Sequence, residues 1–379
     1  MSEYRLYEGD NLDILRLHVE KQSIDLVYLD PPFNSNANYL AADTKAFSDA
    51  WRWTALVAES YQAFVSSSDV PNAARRALSA FHDLLSPGDM LAYLVMMTPR
   101  IIEIHRVLKA TGSLYLHCDP SASHTLRLLL DAIFGPEHFQ SEIIWKRTHA
   151  HGSAKRYGPV HDVILFYSKS EAYLWRYPQA NHSEEYLREH FKQVDAKTGR
   201  TFQAITLTGS GIRRGESGNP WKGVDPTNVQ RHWAIPGKVV QRLGIEGATV
   251  QDKLDALDTL GRIYWPNKEG GTPRLKWFAD ELDGVSLADI WSDIPPLSAN
   301  AAERLGYPTQ KPLALLERII GASSNEGDTV LDPFCGCGTT LAAAQKMGRR
   351  WIGIDVSPLA ISMTRGRLPT ESCRIPFER

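Results

Sequence analysis

Residues 329–340 read TVLDPFCGCGTT, an apolar run that ends on Asp332 and passes through a glycine-rich turn into small helix-forming residues. The run 329–331 reads as a strand and 339–346 as a helix. The next apolar run, WIGID at 351–355, ends on a second carboxylate, Asp355, 17 residues past Gly338. The first part of the chain repeats this plan. IDLVYLD at 24–30 has the continuous apolar character of a buried strand and is stopped by Pro31 and Pro32, with Phe33 following. Further strands are expected at 113–117, 142–145 and 163–167, and helices at 89–108, at 121–134 (capped by Ser121, ended by Gly135 and Pro136) and at 308–323. Strands alternating with helices imply an α/β fold with a mostly parallel sheet covered on both faces.

The chain has 379 residues, 43% hydrophobic and 23% charged, which excludes a disordered or fibrous chain. No apolar run approaches the roughly 20 residues of a membrane helix, and no signal-peptide pattern opens the sequence. The four cysteines are too scattered for a disulfide framework, so a soluble, cytoplasmic protein without a metal site is expected. Cys335 and Cys337 read as small fillers, and His149 and His151 as loop residues.

From 176 to 300 the apolar periodicity weakens and Gly, Pro, Trp and Arg become frequent, as in GSGIRRGESGNPWKG at 209–223. Trp175, Trp221, Trp233, Trp265, Trp277 and Trp291 interleave with basic residues there. The overall charge of −2 conceals a net +8 between Lys146 and Lys276 and −10 elsewhere. A polyanion contacted by the middle region is one expectation, and a solvated surface of mixed sign is the other. The organisation read from this is one sheet domain in two halves, 1–175 and 301–379, with a separate lobe, 176–300, inserted between them.

Glycines at 336 and 338 let a backbone turn sharply and approach a ligand closely, and a carboxylate such as Asp355 can grip ribose hydroxyls in a nucleotide-type fold. The spacing is not GxGxxG, so a single nucleoside such as S-adenosylmethionine suits it better than a dinucleotide; a purely structural turn is the alternative. Asp30-Pro31-Pro32-Phe33 sets a polar edge beside a flat ring. Proline removes backbone donors, so carbonyls there are open to an amino group on a planar base, with Phe33 stacking on it. A strand end stopped by two prolines is the plainer reading.

Together, DPPF at 30–33 and FCGCG at 334–338 resemble the two motifs of the DNA amino-methyltransferases. Glu8-Gly9-Asp10-Asn11-Leu12 and Pro308-Thr309-Gln310-Lys311-Pro312 resemble two further motifs of that family. The order, catalytic motif first and cofactor motif last, is that of the β class. The resemblance implies a permuted, Rossmann-like, seven-stranded methyltransferase sheet, with 176–300 as a target-recognition lobe and 34–53 as a flap over a flipped base. Asp30, Pro31, Pro32 and Phe33 would then be catalytic. Asp10, Thr309, Lys311, Asp332, Phe334, Gly336, Gly338 and Asp355 would hold S-adenosylmethionine, leaving S-adenosylhomocysteine as product. Lys146, Arg147, Lys155, Arg156, Arg213, Arg214, Lys222 and Arg231 become candidates for contact with double-stranded DNA. Adenine N6 is favoured over cytosine N4 because Asp30 opens the motif. An RNA amino-methyltransferase and a catalytically dead DNA-specificity subunit are the alternatives. A cognate restriction endonuclease and a homodimer are possible partners by the same resemblance.

Overall fold

The computed structural model describes residues 4–33, 38–41, 44–148, 155, 157–180, 182–267, 271–298 and 300–368. The chain divides into two compact units, Met1–Pro178 with Leu287–Arg379, and Gln179–Ser286.

The first unit is built on one sheet. Its strands are β1 (Tyr4–Glu8), β2 (Ile24–Leu29), β3 (Leu108–Cys118), β4 (Phe139–Lys146), β5 (His161–Ser168), β6 (Ile290–Trp291), β7 (Thr329–Asp332) and β8 (Arg350–Asp355), in the order β1-β8-β7-β2-β3-β5-β4-β6. Neighbours from β1 to β3 pair in parallel, β5 runs antiparallel to β3 and β4, and β6 pairs in parallel with β4. Among the described residues the sheet thus has eight strands where seven were expected. The eighth is only Ile290–Trp291, too short to carry a two-residue period, and it forms because these residues reach the open edge at Ile144 and Trp145.

All six residues of β2 are buried, since helices cover both faces of the sheet. One face packs Val27, Leu29, Leu114 and Leu116 against helices α1 (Asn11–His18), α2 (Ala55–Ser66), α3 (Asn72–Leu85), α4 (Asp89–Val107) and α5 (Pro120–Phe134). The other packs Leu26, Tyr28, Tyr115 and Val330 against α6 (Leu313–Ser323), α7 (Thr339–Lys346) and α8 (Pro358–Arg367). This alternation is the period-2 geometry of a strand between two helical layers.

Two helix starts differ from the sequence reading. The cap of α5 is Asp119, whose carboxylate accepts from the Ser121 amide at 2.6 Å, with Pro120 in the first turn. Helix α6 begins at Leu313, not 308, because Pro312 is extended at ψ 141° and residues before a proline are steered away from the helical region. Residues 308–312 are therefore a loop, in which Thr309 adopts φ 60°, an uncommon conformation for a β-branched residue.

The second unit holds a four-stranded antiparallel sheet, Ile263–Tyr264, Arg274–Phe278, Thr201–Thr206 and Gln193–Val194 in that order, with helix Val250–Thr259. Its core includes Leu207, Trp221, Trp233, Leu254, Leu257 and Leu275. Trp221 and Trp233, suggestive in sequence beside basic residues, are core side chains. The unit carries 15 Lys and Arg against 14 Asp and Glu, a net of +1. The positive window of the sequence arose partly from residues before it and from stopping short of Asp280, Glu281 and Asp283. Among the described residues, no helix is long and apolar enough to cross a membrane.

Candidate active site

Asp10, Asp30, Asp332 and Asp355 each stand at or just past the carboxyl end of a parallel strand, the edge where open α/β sheets bind ligands. They border one cavity of about 490 Å³ in the first unit, a volume suited to a small-molecule site. Pro31, Pro32, Phe33, Thr309, Lys311, Phe334 and Gly336 border it too.

Asp30 follows the buried strand β2, and both its carboxylate oxygens accept from Lys311 Nζ, at 2.9 and 2.6 Å. The ammonium also lies 5.1 Å from the centroid of the Phe33 ring. Lys311 is 8% exposed, so this is a nearly buried ion pair joining the DPPF segment to the 308–312 loop.

At the end of β7, Asp332 accepts from the Phe334 amide at 3.0 Å. Burial, reinforced by Asp30 and Asp355 and opposed by hydrogen bonds from Thr340 and Phe334, pushes its carboxyl up to about 7. Asp355, at the end of β8, accepts from the Gly336 amide at 2.9 Å and the Ser357 amide at 2.8 Å, and burial raises its carboxyl as well. A Cβ on Gly336 would stand 3.1 Å from the Tyr307 ring. Gly338 does not border the cavity. It sits at φ 75°, where a Cβ would meet Thr364 at 2.8 Å, so it serves the packing of the turn on α8. Cys335 and Cys337 are buried, which raises both thiols.

Asp10 caps α1 by accepting from the Leu12 amide at 2.7 Å, and Arg100 donates to both its oxygens at 2.9 and 2.8 Å. Arg100 also donates to Asn11 at 2.6 Å, and Asn11 donates to the Pro333 carbonyl at 2.7 Å. Sequence reading missed Arg100 and Asn11. The available signal was Arg100 itself, a charged residue set within the apolar pattern of 89–108.

The basic candidates are divided between the two units, Lys146, Arg147, Lys155 and Arg156 in the first and Arg213, Arg214, Lys222 and Arg231 in the second. Arg147 pairs with Asp162 at 2.8 Å, Lys222 pairs with Asp258, and Arg231 donates to Thr208 at 2.7 Å. Lys146, Lys155, Arg213 and Arg214 are exposed, and Arg156 lies outside the described residues, as do His149 and His151. Of the 34–53 segment, 34–37 and 42–43 are likewise outside them; Asn38–Ala41 and Thr44–Ser48 form an antiparallel hairpin, and Asp49 and Trp51 border the cavity.

The raised Asp332 carboxyl has a measurable consequence. Its pKa in the folded chain exceeds the ordinary 3.8, so folding is favoured most below about pH 4 and that contribution is lost as pH rises toward 7. Asp332→Asn is expected to flatten the decline in Tm between about pH 5 and pH 8, and to exceed the parent in stability at pH 8 by roughly 1–4 kcal/mol. Thermal melts of the ligand-free pair across pH check this; parallel profiles would contradict it.

Four carboxylates, a nearly buried ammonium and a Pro-Phe-lined floor suit a cationic, hydroxyl-bearing nucleoside beside a planar amine. The DNA methylase family, N6/N4 class, matches residues 24–365. The type II methyltransferase M.EcaI of Enterobacter cloacae is 31% identical over 356 residues, covering 94% of this chain and 67% of that one. The Mod subunit of the type III restriction-modification enzyme StyLTI of Salmonella typhimurium strain LT2 is 26% identical over 355 residues, 89% of this chain and 49% of that one. The DNA adenine methyltransferase YhdJ of Escherichia coli strain K12 is 25% identical over 369 residues, 97% and 83% of the two chains. This chain thus spans about two thirds of the first relative and half of the second. With its site built from both ends of the chain around DPPF and FCGCG, and a family match over most of its length, this chain belongs to the N6/N4 DNA methylase family.

Proposed function

We propose that the chain transfers a methyl group from S-adenosylmethionine to the exocyclic amino nitrogen of a base in double-stranded DNA, with adenine N6 ahead of cytosine N4. The observation that carries this reading is that Asp30-Pro31-Pro32-Phe33 and Phe334-Cys335-Gly336 border one cavity. When bound, the cofactor supplies an electrophilic methyl group on a sulfonium.

An aryl amine is a weak nucleophile because its lone pair is delocalised into the ring. Asp30 and the Pro31 carbonyl would accept its two N–H groups, favouring a more tetrahedral nitrogen and aiming its lone pair. Lys311 holds the Asp30 carboxylate from one side, which makes it a positioning residue for Asp30, while Thr309 would take the carboxylate end of the cofactor. The proton leaves after transfer, to Asp30 or water. A base in a duplex must be flipped out at a cost of a few kcal/mol, and stacking on Phe33 would offset roughly 1–3 kcal/mol of it. Asp355 would take the ribose hydroxyls, Asp10 the adenine amino group and Asp332 the methionine ammonium, with Phe334 flanking the nucleoside and Gly336 allowing close approach.

The second unit is assigned to target recognition, with Arg213 and Arg214 among its exposed cations. A near-neutral unit fits base readout by a few side chains rather than a broad phosphate-binding face. The site of action proposed is cytoplasmic DNA; pairing with a restriction endonuclease and homodimerisation follow only from relatives and family. Expression in a host without DNA methylation, followed by single-molecule sequencing, tests the reading. Modified adenine in one sequence context is expected. Modified cytosine would select the N4 alternative, and unmodified DNA with folded protein present would contradict the proposal.

A further inference from the structure

Arg100 lies on α4, outside every motif assigned to the reaction, yet it borders the cavity together with Asp10, Asn11 and Pro333. Its side chain is 12% exposed and that of Asp10 50%. All the guanidinium nitrogens have partners. Nη1 donates to the Met96 carbonyl at 2.9 Å, one turn back along the same helix, Nε donates to Asn11 Oδ1, and Nη2 donates to both oxygens of Asp10. Asn11, nearly buried, carries the connection on by donating from Nδ2 to the Pro333 carbonyl. Arg100 thus braces the two residues that follow Gly9 and, through Asn11, the backbone entering the glycine turn, 322 residues further along the chain.

Because an arginine donates and never accepts, these contacts fix what Asp10 presents to the cavity. A carboxylate has about four acceptor positions. Oδ1 uses its share on the Leu12 amide and on Arg100, and Oδ2 uses one on Arg100. Among the described residues, the remaining position on Oδ2 stays open, on a half-exposed side chain at the cavity wall. An ionised carboxylate has no hydrogen to give, so that position only accepts. The planar guanidinium, anchored at Met96 and Asn11, keeps the carboxylate from turning away into water.

We propose that Arg100 sets the specificity of the cofactor site for its base, by holding Asp10 so that the cavity selects a purine with an exocyclic amino group over one with an oxo group at the same carbon. Arg100 is then a positioning residue that acts through Asp10. An amino group brings a hydrogen to Oδ2, whereas an oxo group sets two acceptors against each other, and a braced carboxylate cannot swing aside to relieve them. The inference rests on the proposed function for the adenosine and for its amino group lying at Asp10.

The test titrates S-adenosylhomocysteine and S-inosylhomocysteine, its counterpart with an oxo group in place of the amino group, by calorimetry. The parent should bind the amino ligand about tenfold or more tighter, the size of one hydrogen bond to a charged group. In Arg100→Met the ratio should fall to within about threefold, through loss of affinity for the amino ligand alone. Asp10→Asn reports the same geometry from the other side. The Leu12 amide and Arg100 both donate, so the new carbonyl faces them, its NH2 takes the open position, and the preference should reverse toward the oxo ligand. A merely structural brace predicts that Arg100→Met weakens both ligands equally. Equal weakening, or a preference for the amino ligand kept in Asp10→Asn, would overturn the inference, while tight binding of that ligand to the parent upholds the cofactor reading. A parent that binds neither ligand would overturn both. The expected selectivities in a protein that leaves DNA unmethylated would count against the proposed function and support the role of Arg100.

Discussion

Asp30→Asn should lose methyl transfer by at least about 10²–10³-fold, the range for removing one preorganised electrostatic group from a site, while S-adenosylmethionine binds as it does to the parent. The substitution keeps shape and one carbonyl acceptor but removes the charge that draws both an N–H of the amine and the departing proton. It also strips Lys311 of its counter-ion. Side-chain exposures of 9% for Lys311 and 18% for Asp30 make this a nearly buried pair, and breaking such a pair costs about 3–5 kcal/mol. Loss of activity alone is therefore ambiguous, and the double variant Asp30→Asn/Lys311→Met separates the two effects. It should regain thermal stability without regaining turnover. Recovery of turnover in the double variant, or near-parental turnover in Asp30→Asn, would remove Asp30 from its role.

Asp355→Ala should weaken S-adenosylmethionine by about 10²-fold or more, since two ribose hydroxyls bonded to a carboxylate contribute roughly 1.5–3 kcal/mol each. The carboxylate also holds the glycine turn through the Gly336 and Ser357 amides, so the loss combines a missing ligand contact with a loosened turn. Asp355→Asn keeps an acceptor for one amide and should fall between Ala and the parent. Titration calorimetry reads both. Affinity in Asp355→Ala within about threefold of the parent would place the ribose elsewhere, since a tenfold change corresponds to 1.4 kcal/mol.

The strand ends were legible because a buried strand between helices needs a continuous apolar run, and a terminal Asp followed by Pro or Gly marks where it stops. Thus 24–30, 329–332 and 351–355 stood out, and the helix at 89–107 showed its apolar stripe. What escaped was set by partners distant in the chain. Nothing near Lys311 announces Asp30, and nothing near Arg100 announces Asp10; both pairings arise only when the sheet brings β1, β2 and the 308–312 loop to one edge. The same holds for Ile290–Trp291, a strand only because an open edge waits at β4. The local errors had local causes: Asp119 outcompetes Ser121 as a cap because Pro120 occupies the first helical position, and Pro312 delays α6. The charge window drawn on the sequence cut across the unit boundary and left out Asp280, Glu281 and Asp283, so its net of +8 is not the unit's own.

A crystal structure of the protein with S-adenosylhomocysteine would place the two chain ends against one ligand. The ribose is expected on Asp355, the nucleoside against Phe334, and the sulfur facing Asp30 across the open part of the cavity. A ligand seated in any other cavity, or with its sulfur turned away from Asp30, would contradict that placement.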